Sequence, residues 1–112
     1  MAKRQIEYYQ KEVKRLAEKI KNDYQPEKIF IFGSFAKGKI NPDSDVDFFI
    51  IKKTAKPRRE RQREVARLLL DRRIAVDVLI FTPREAASRK AMGDNFIIDI
   101  LKTGKLIYAK RK

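Results

Sequence analysis

The sequence contains no cysteine and no histidine, and these two absences limit the chemistry open to the chain. Without cysteine there is no disulfide scaffold and no thiolate-ligated zinc or iron–sulfur site. Without histidine there is no His-dependent catalytic triad, no His-ligated zinc or haem, and no imidazole acid–base catalysis. Any chemistry must therefore use carboxylates, hydroxyls, lysine, arginine or bound ions.

Long apolar runs are missing as well. The longest uninterrupted ones, such as Phe48-Phe49-Ile50-Ile51, fall far short of the roughly 20 residues that a membrane span requires. The basic N-terminus lacks the apolar core of a secretion signal. We therefore expect a cytoplasmic protein with no membrane association.

The composition indicates one small, strongly basic domain. The chain has 112 residues, 43% of them hydrophobic, which is enough for the core of a single domain spanning 1–112 with a basic tail at 109–112. Its 28 basic and 15 acidic residues give a net charge of +13. Such a surface either contacts an acidic partner or nucleic acid, or is simply solvated. No RNA-binding aromatic motif accompanies the arginines, so we favour a solvated or protein-facing surface.

Hydrophobic periodicity predicts a small α/β fold. Apolar residues spaced by three and four between Ile6 and Tyr24 indicate an amphipathic N-terminal helix that ends before Pro26. Strands are predicted at 28–32, 45–51, 74–81 and 106–108, and helices at 35–37 (capped by Ser34), after Pro57, after Thr82, and from a cap at Asn95 to Gly104. We expect a short mixed sheet of three to four strands flanked by helices.

Gly33-Ser34 follows directly after a predicted strand. Glycine allows close backbone approach, and a helix N-terminus with a hydroxyl beside it suits a phosphate group. An ordinary capped turn has the same sequence signature.

Three aspartates are the other candidate site residues. On a strand, Asp45 and Asp47 point to the same face, and two adjacent carboxylates suit Mg²⁺ or Mn²⁺. The alternative for this pair is a solvated loop. Asp77 stands alone in the apolar run Ile74–Phe81. It is either a third metal ligand or a carboxylate that pairs with Arg72 or Arg73 or lies exposed at a strand end.

Taken together, these motifs resemble a known family. The chain resembles the nucleotidyltransferase superfamily of polymerase beta, and more closely the minimal nucleotidyltransferase (MNT) proteins. The resemblance is carried by Gly33-Ser34-Phe35-Ala36-Lys37-Gly38, then Ser44-Asp45-Val46-Asp47, then Asp77. The resemblance covers residues 27–108. Lys37 departs from the pattern, because many relatives carry arginine there and lysine lacks the bidentate fork for phosphate.

The resemblance implies a mechanism. Two Mg²⁺ ions, or Mn²⁺, would be held by Asp45, Asp47 and Asp77, and Asp77 would be the general base. Gly33, Ser34, Lys37 and Ser44 would bind ATP or another nucleoside triphosphate. Attack on the α-phosphate would release pyrophosphate and transfer a nucleoside monophosphate to an acceptor.

The resemblance also implies a partner. MNT proteins are typically encoded beside HEPN-domain toxins and act as antitoxins, some by transferring AMP to a toxin tyrosine. We expect no second domain in this chain, so the acceptor would lie on a HEPN-type partner protein, another subunit or a small molecule. Two alternatives stay open: a non-catalytic antitoxin module, and a basic nucleic-acid-binding protein.

Overall fold

A four-stranded mixed sheet forms the centre of the protein, whose computed structural model describes residues 2–40 and 45–111. Its strands are β1 (Lys28–Phe32), β2 (Val46–Ile51), β3 (Val76–Phe81) and β4 (Lys105–Ala109), in the order β3-β2-β1-β4. Strand β1 is antiparallel to both of its neighbours, whereas β2 and β3 are parallel. The predicted α/β class with a short mixed sheet is confirmed.

One face of the sheet is covered by the N-terminal helix and the basic helix. Helix α1 (Lys3–Lys19) continues as a π-helical turn (Ile20–Tyr24) and stops at Gln25, which has a left-handed conformation with φ of 53°. Helix α2 (Arg58–Leu68) follows β2. Their apolar residues form one core with alternate residues of the strands: Val13, Leu16, Ile20, Tyr24, Val46, Phe48, Ile50 and Val65 are all buried.

The opposite face of the sheet is covered by two short helices, α3 (Pro83–Ala91) and α4 (Asn95–Thr103). Thr82 caps α3 as predicted, with its hydroxyl accepting the Glu85 N–H. Helix α4 is capped by Asp94, not by Asn95, because the Asp94 carboxylate accepts the N–H groups of Phe96 and Ile97. A second core lies beneath these helices: Phe30, Phe49, Ile51, Phe81, Ala86, Ile97 and Ile100.

Two buried charges were not anticipated from the sequence. Glu12 is buried in α1 and pairs with Arg15 at 2.7 Å. Arg61 of α2 is buried and pairs with Glu85 at 2.7 Å. Within the described ranges no helix has both the length and the apolar character needed to span a bilayer.

Candidate active site

The parallel pairing of β2 with β3 brings two of the predicted aspartates side by side. Asp47 and Asp77 are directly paired in register, so their side chains leave the same face of the sheet. This is the face covered by α3 and α4, since Asp47 alternates with the buried Val46 and Phe48 of the other core. The juxtaposition of Asp47 with Asp77 is therefore fixed by the backbone.

Asp47 lies in an electrostatically unfavourable position for a carboxylate. It is partly buried, and burial together with the negative charges of Asp77 and Asp45 raises the pKa of Asp47. Asp77 is exposed, and its Oδ1 accepts the N–H of Val78 at 3.0 Å. Asp77 thus lies exposed near the start of β3, beside Asp47.

Gly33 makes room for the Asp47 carboxylate. Its φ of 77° lies in the left-handed region, and a Cβ on Gly33 would collide with Oδ2 of Asp47. Glycine is thus required here on two grounds, one conformational and one steric. The sequence predicts that the backbone at Gly33 comes close to a phosphate. In the structure, this backbone comes close to the Asp47 carboxylate.

The segment after Gly33 is a closed turn, and the predicted helix at 35–37 does not form. Gly38 has a φ of 78°, its N–H donates to the Phe35 carbonyl, and the Lys39 N–H donates to the Ser34 carbonyl. These two hydrogen bonds are the pattern that normally terminates a helix, applied after a single turn. Ser34 therefore caps no helix, and this turn offers no helix N-terminus to a phosphate.

Lys39, which was not among the predicted residues, lines a narrow cleft that Tyr9 of α1 also lines, and neither Asp47 nor Asp77 lines that cleft. Ser34 and Asp45 line the same cleft, which lies between the turn and the start of β2. Lys37 is exposed on the turn and is absent from this cleft's lining. The sequence signal for Lys39 is the glycine before it, because a left-handed residue folds the next one back toward the start of the turn. Ser44, predicted to bind the nucleotide, lies outside the described residues.

The donor set suits a hard divalent cation. Carboxylate oxygens are the ligands that Mg²⁺ and Mn²⁺ prefer, and a cation between Asp47 and Asp77 would relieve the repulsion that, after burial, raises the pKa of Asp47. Across residues 2–40 and 45–111, no three acidic side chains are already close enough to share one ion. The structure thus brings Asp47 and Asp77 together, with Asp45 within electrostatic range.

An aromatic pair beside the aspartates, one ring of it exposed, was not predicted from the sequence. Phe32 is the register partner of Asp47 on β1, and the ring of Phe96 packs edge-on against it with 5.7 Å between centroids. Phe96 keeps 55% of its surface exposed although it begins an otherwise apolar helix face. An aromatic ring next to a polar site is a surface on which a planar ligand can stack.

Comparison with known protein families agrees with this architecture. Residues 14–112 match the model of the family described as polymerase beta, nucleotidyltransferase. The chain belongs to the polymerase beta nucleotidyltransferase family. Membership of this nucleotidyltransferase family implies a nucleotide substrate, and nucleotidyltransferases of the superfamily generally use divalent metal ions. No curated protein matches the chain significantly.

A solved structure supports the fold of this nucleotidyltransferase domain. A protein of Sulfolobus solfataricus, described as a candidate nucleotidyltransferase, superposes with a TM-score of 0.56 at 23% identity. The match covers 97% of this chain and 84% of the other. At this identity the likeness bears on the fold alone.

Proposed function

We propose that this protein is a metal-dependent nucleotidyltransferase that moves AMP from ATP to an acceptor and releases pyrophosphate. One observation carries the proposal: a partly buried Asp47, paired in register with Asp77 and near Asp45, in a chain of this family. Asp45, Asp47 and Asp77 would hold Mg²⁺ or Mn²⁺. When bound, the metal would neutralise the negative charge on the transferred phosphoryl group and on the leaving oxygen.

The residues of the turn would hold the triphosphate. Ser34 offers a hydroxyl, and Lys39, in the same cleft as Asp45, offers an ammonium group to the β- and γ-phosphates. Lys37, exposed on the same turn, would approach the triphosphate from the solvent. Gly33 would act indirectly, because the absence of a Cβ there leaves room for the Asp47 carboxylate.

Asp77 would serve as the general base of the transfer. Its carboxylate would accept the proton of the acceptor hydroxyl as that oxygen bonds to the α-phosphorus, while the bond from the α-phosphorus to the pyrophosphate oxygen breaks. The exposure of Asp77 fits this role, because an acceptor must reach it from outside. The exposed ring of Phe96 is a stacking surface for the nucleobase.

We further propose that the acceptor is a HEPN-type toxin and that the transfer neutralises it. Support comes from the MNT-like motifs and from a surface of net charge +13, which suits an acidic protein partner. A tyrosine hydroxyl on the partner would be the attacking group.

The test uses ATP labelled in either of two positions. The protein is incubated with Mg²⁺, a candidate HEPN-type partner protein, and ATP carrying the label at the α- or the γ-phosphate. We expect α-label on the partner and γ-label in pyrophosphate, both absent with Asp47→Asn. Parallel reactions with the other nucleoside triphosphates test the preference for ATP.

A non-catalytic antitoxin would give a different result. It would form a stable complex with the partner without transfer of label. Mg²⁺-ATP would then also leave the melting temperature of the protein unchanged up to millimolar concentrations, since a ligand stabilises only a protein that binds it.

A further inference from the structure

A groove of about 620 Å³ lies far from the turn, where β2 ends. Its floor is apolar and comes from β2, α3 and α4: Ile51, Pro83, Ala86, Ala87 and Leu101. Ile51 is four residues beyond Asp47 on the same strand, which puts it on the same sheet face at a distance of about 13 Å. The groove is therefore separate from the candidate active site but opens on the same side of the sheet.

The rim of the groove is strongly basic. Five exposed cationic residues from separate parts of the chain surround the floor: Lys28, Lys53, Lys90, Lys110 and Arg111. Among the described residues that line it, only Glu27 is acidic. The Glu27 carboxylate is already engaged, because its Oε2 accepts the backbone N–H of Lys53 at 2.6 Å.

We propose that this groove, the basic groove, docks an acidic amphipathic segment of a partner protein. Leucine-like side chains would cover the apolar floor, and carboxylates on the same segment would meet the five cations. The basic rim indicates that the partner segment is negatively charged, and the apolar floor indicates that it is a peptide with apolar side chains. The part of the chain that the structure describes contributes no aromatic ring to the floor for base stacking, so an apolar peptide side chain fits it better than a nucleotide does.

A segment bound in the basic groove lies on the same sheet face as the side chains of Asp47 and Asp77. The inference goes beyond the proposed transfer reaction and does not depend on it, because none of the three aspartates lines the groove.

The probe is a synthetic 14-residue peptide with leucine at helical spacing, glutamate elsewhere and a fluorescent label. Its affinity for the full chain is measured by fluorescence anisotropy. Two matched peptides replace every glutamate by glutamine or every leucine by serine. We expect both replacements to weaken binding at least tenfold, and binding to weaken as salt rises from 0.05 to 0.5 M, about a threefold shortening of the screening length.

Matched protein variants locate the binding surface. Lys53→Glu combined with Lys90→Glu removes rim charge, and Ala87→Glu introduces a charge on the floor with only a small loss of helix propensity. Each should weaken peptide binding at least tenfold. The controls are Lys3→Glu combined with Lys11→Glu, and Ala66→Glu, all at exposed positions outside the groove. They should change affinity less than twofold, and thermal melting verifies that every variant is folded.

Several outcomes would overturn the proposal. Equal weakening by the control variants would mean that the overall charge attracts the peptide, and unchanged affinity in the groove variants would place binding elsewhere. A 20-nucleotide single strand that binds more tightly and responds to the same variants would make the groove a nucleic-acid site. Asp47→Asn should leave peptide affinity unchanged, so a failure of the transfer reaction and a failure of docking are distinguishable.

Discussion

Two carboxylates set into this protein have opposite surroundings. Glu12 is only 3% exposed. Its carboxylate accepts hydrogen bonds from the Arg15 guanidinium at 2.7 Å and from the backbone N–H of Arg73 at 2.6 Å. The hydrogen bonds from Arg15 outweigh burial and lower the pKa of Glu12. Asp47 is also withdrawn from solvent, but burial, Asp77 and Asp45 together raise its pKa.

Glu12 is thus a carboxylate that stabilises the fold, whereas the charge of Asp47 destabilises it. Glu12 joins α1 to the segment before β3, and the cationic groups around it keep it charged. The charge of Asp47 faces charges of its own sign, an arrangement that folding alone does not favour. Substituting each carboxylate should therefore alter a different property of the protein.

The largest effect is expected for Asp47→Asn. Loss of the carboxylate should lower nucleotidyl transfer on the order of 10³-fold, since metal-assisted charge stabilisation contributes several kcal/mol. The melting temperature should stay the same or rise, because repulsion with Asp77 and Asp45 is removed. Activity assays and thermal melting on the same preparation check both. A marked fall in melting temperature would show that Asp47 stabilises the fold.

Gly33→Ala should come next. It introduces a left-handed alanine and drives a Cβ into Asp47, so we expect about 1–2 kcal/mol loss of stability and roughly a hundredfold loss of transfer from displacement of the carboxylate. Gly38→Ala is the matched control, since Gly38 has the same positive φ but a Cβ added there would meet no atom of the described residues within 4 Å. It should lose similar stability and keep its activity. Equal activity losses would attribute the effect to the turn and not to Asp47.

This pair of glycines also shows what could be predicted from the sequence. The strands and α3 follow from local signals, namely β-branched runs and the Thr82-Pro83 start, and they form where expected. The helix predicted at 35–37 was wrong because Gly38 closes the chain after one turn. That outcome depends on two backbone hydrogen bonds, which propensities do not encode.

Contacts between distant residues account for most of what was missed. Glu12 meets Arg73 across 61 positions, and Arg61 meets Glu85 across 24. Neither pair leaves a periodic trace in the sequence, so neither was predicted. The pairing of Asp47 with Asp77 was predicted through the family resemblance, because the strand pattern alone does not set the register between β2 and β3.

Glu12→Gln is expected to reduce stability without touching transfer. It leaves Arg15 and the Arg73 N–H with a neutral partner, and hydrogen bonds to a charged group contribute about 1.5–3 kcal/mol. Urea denaturation should therefore show a loss of about 2 kcal/mol. Asp71→Asn is the comparison, since this carboxylate pairs with Arg15 and Lys19 but is 57% exposed. Its loss should stay below about 1 kcal/mol, and equal losses for the two variants would refute the distinction.

The smallest expected effect is the pH dependence of the stability difference between wild type and Glu12→Gln. The folded-state pKa of Glu12 lies below its ordinary value of 4.5, so the unfolded chain binds the proton more readily. The stabilisation from Glu12 is then fully present above pH 4.5 and is lost as the pH falls through the folded-state value.

Urea unfolding of wild type and Glu12→Gln from pH 6 to pH 2 measures this loss. The gap of about 2 kcal/mol at pH 6 should narrow to less than about 1 kcal/mol at the acid end. Arg61 lowers the pKa of Glu85 in the same direction, so Glu12→Gln should keep some acid sensitivity and a double variant with Glu85→Gln should keep less. A gap that stays constant down to pH 2 would mean that Glu12 stabilises the protein by the shape of its side chain and not by its charge.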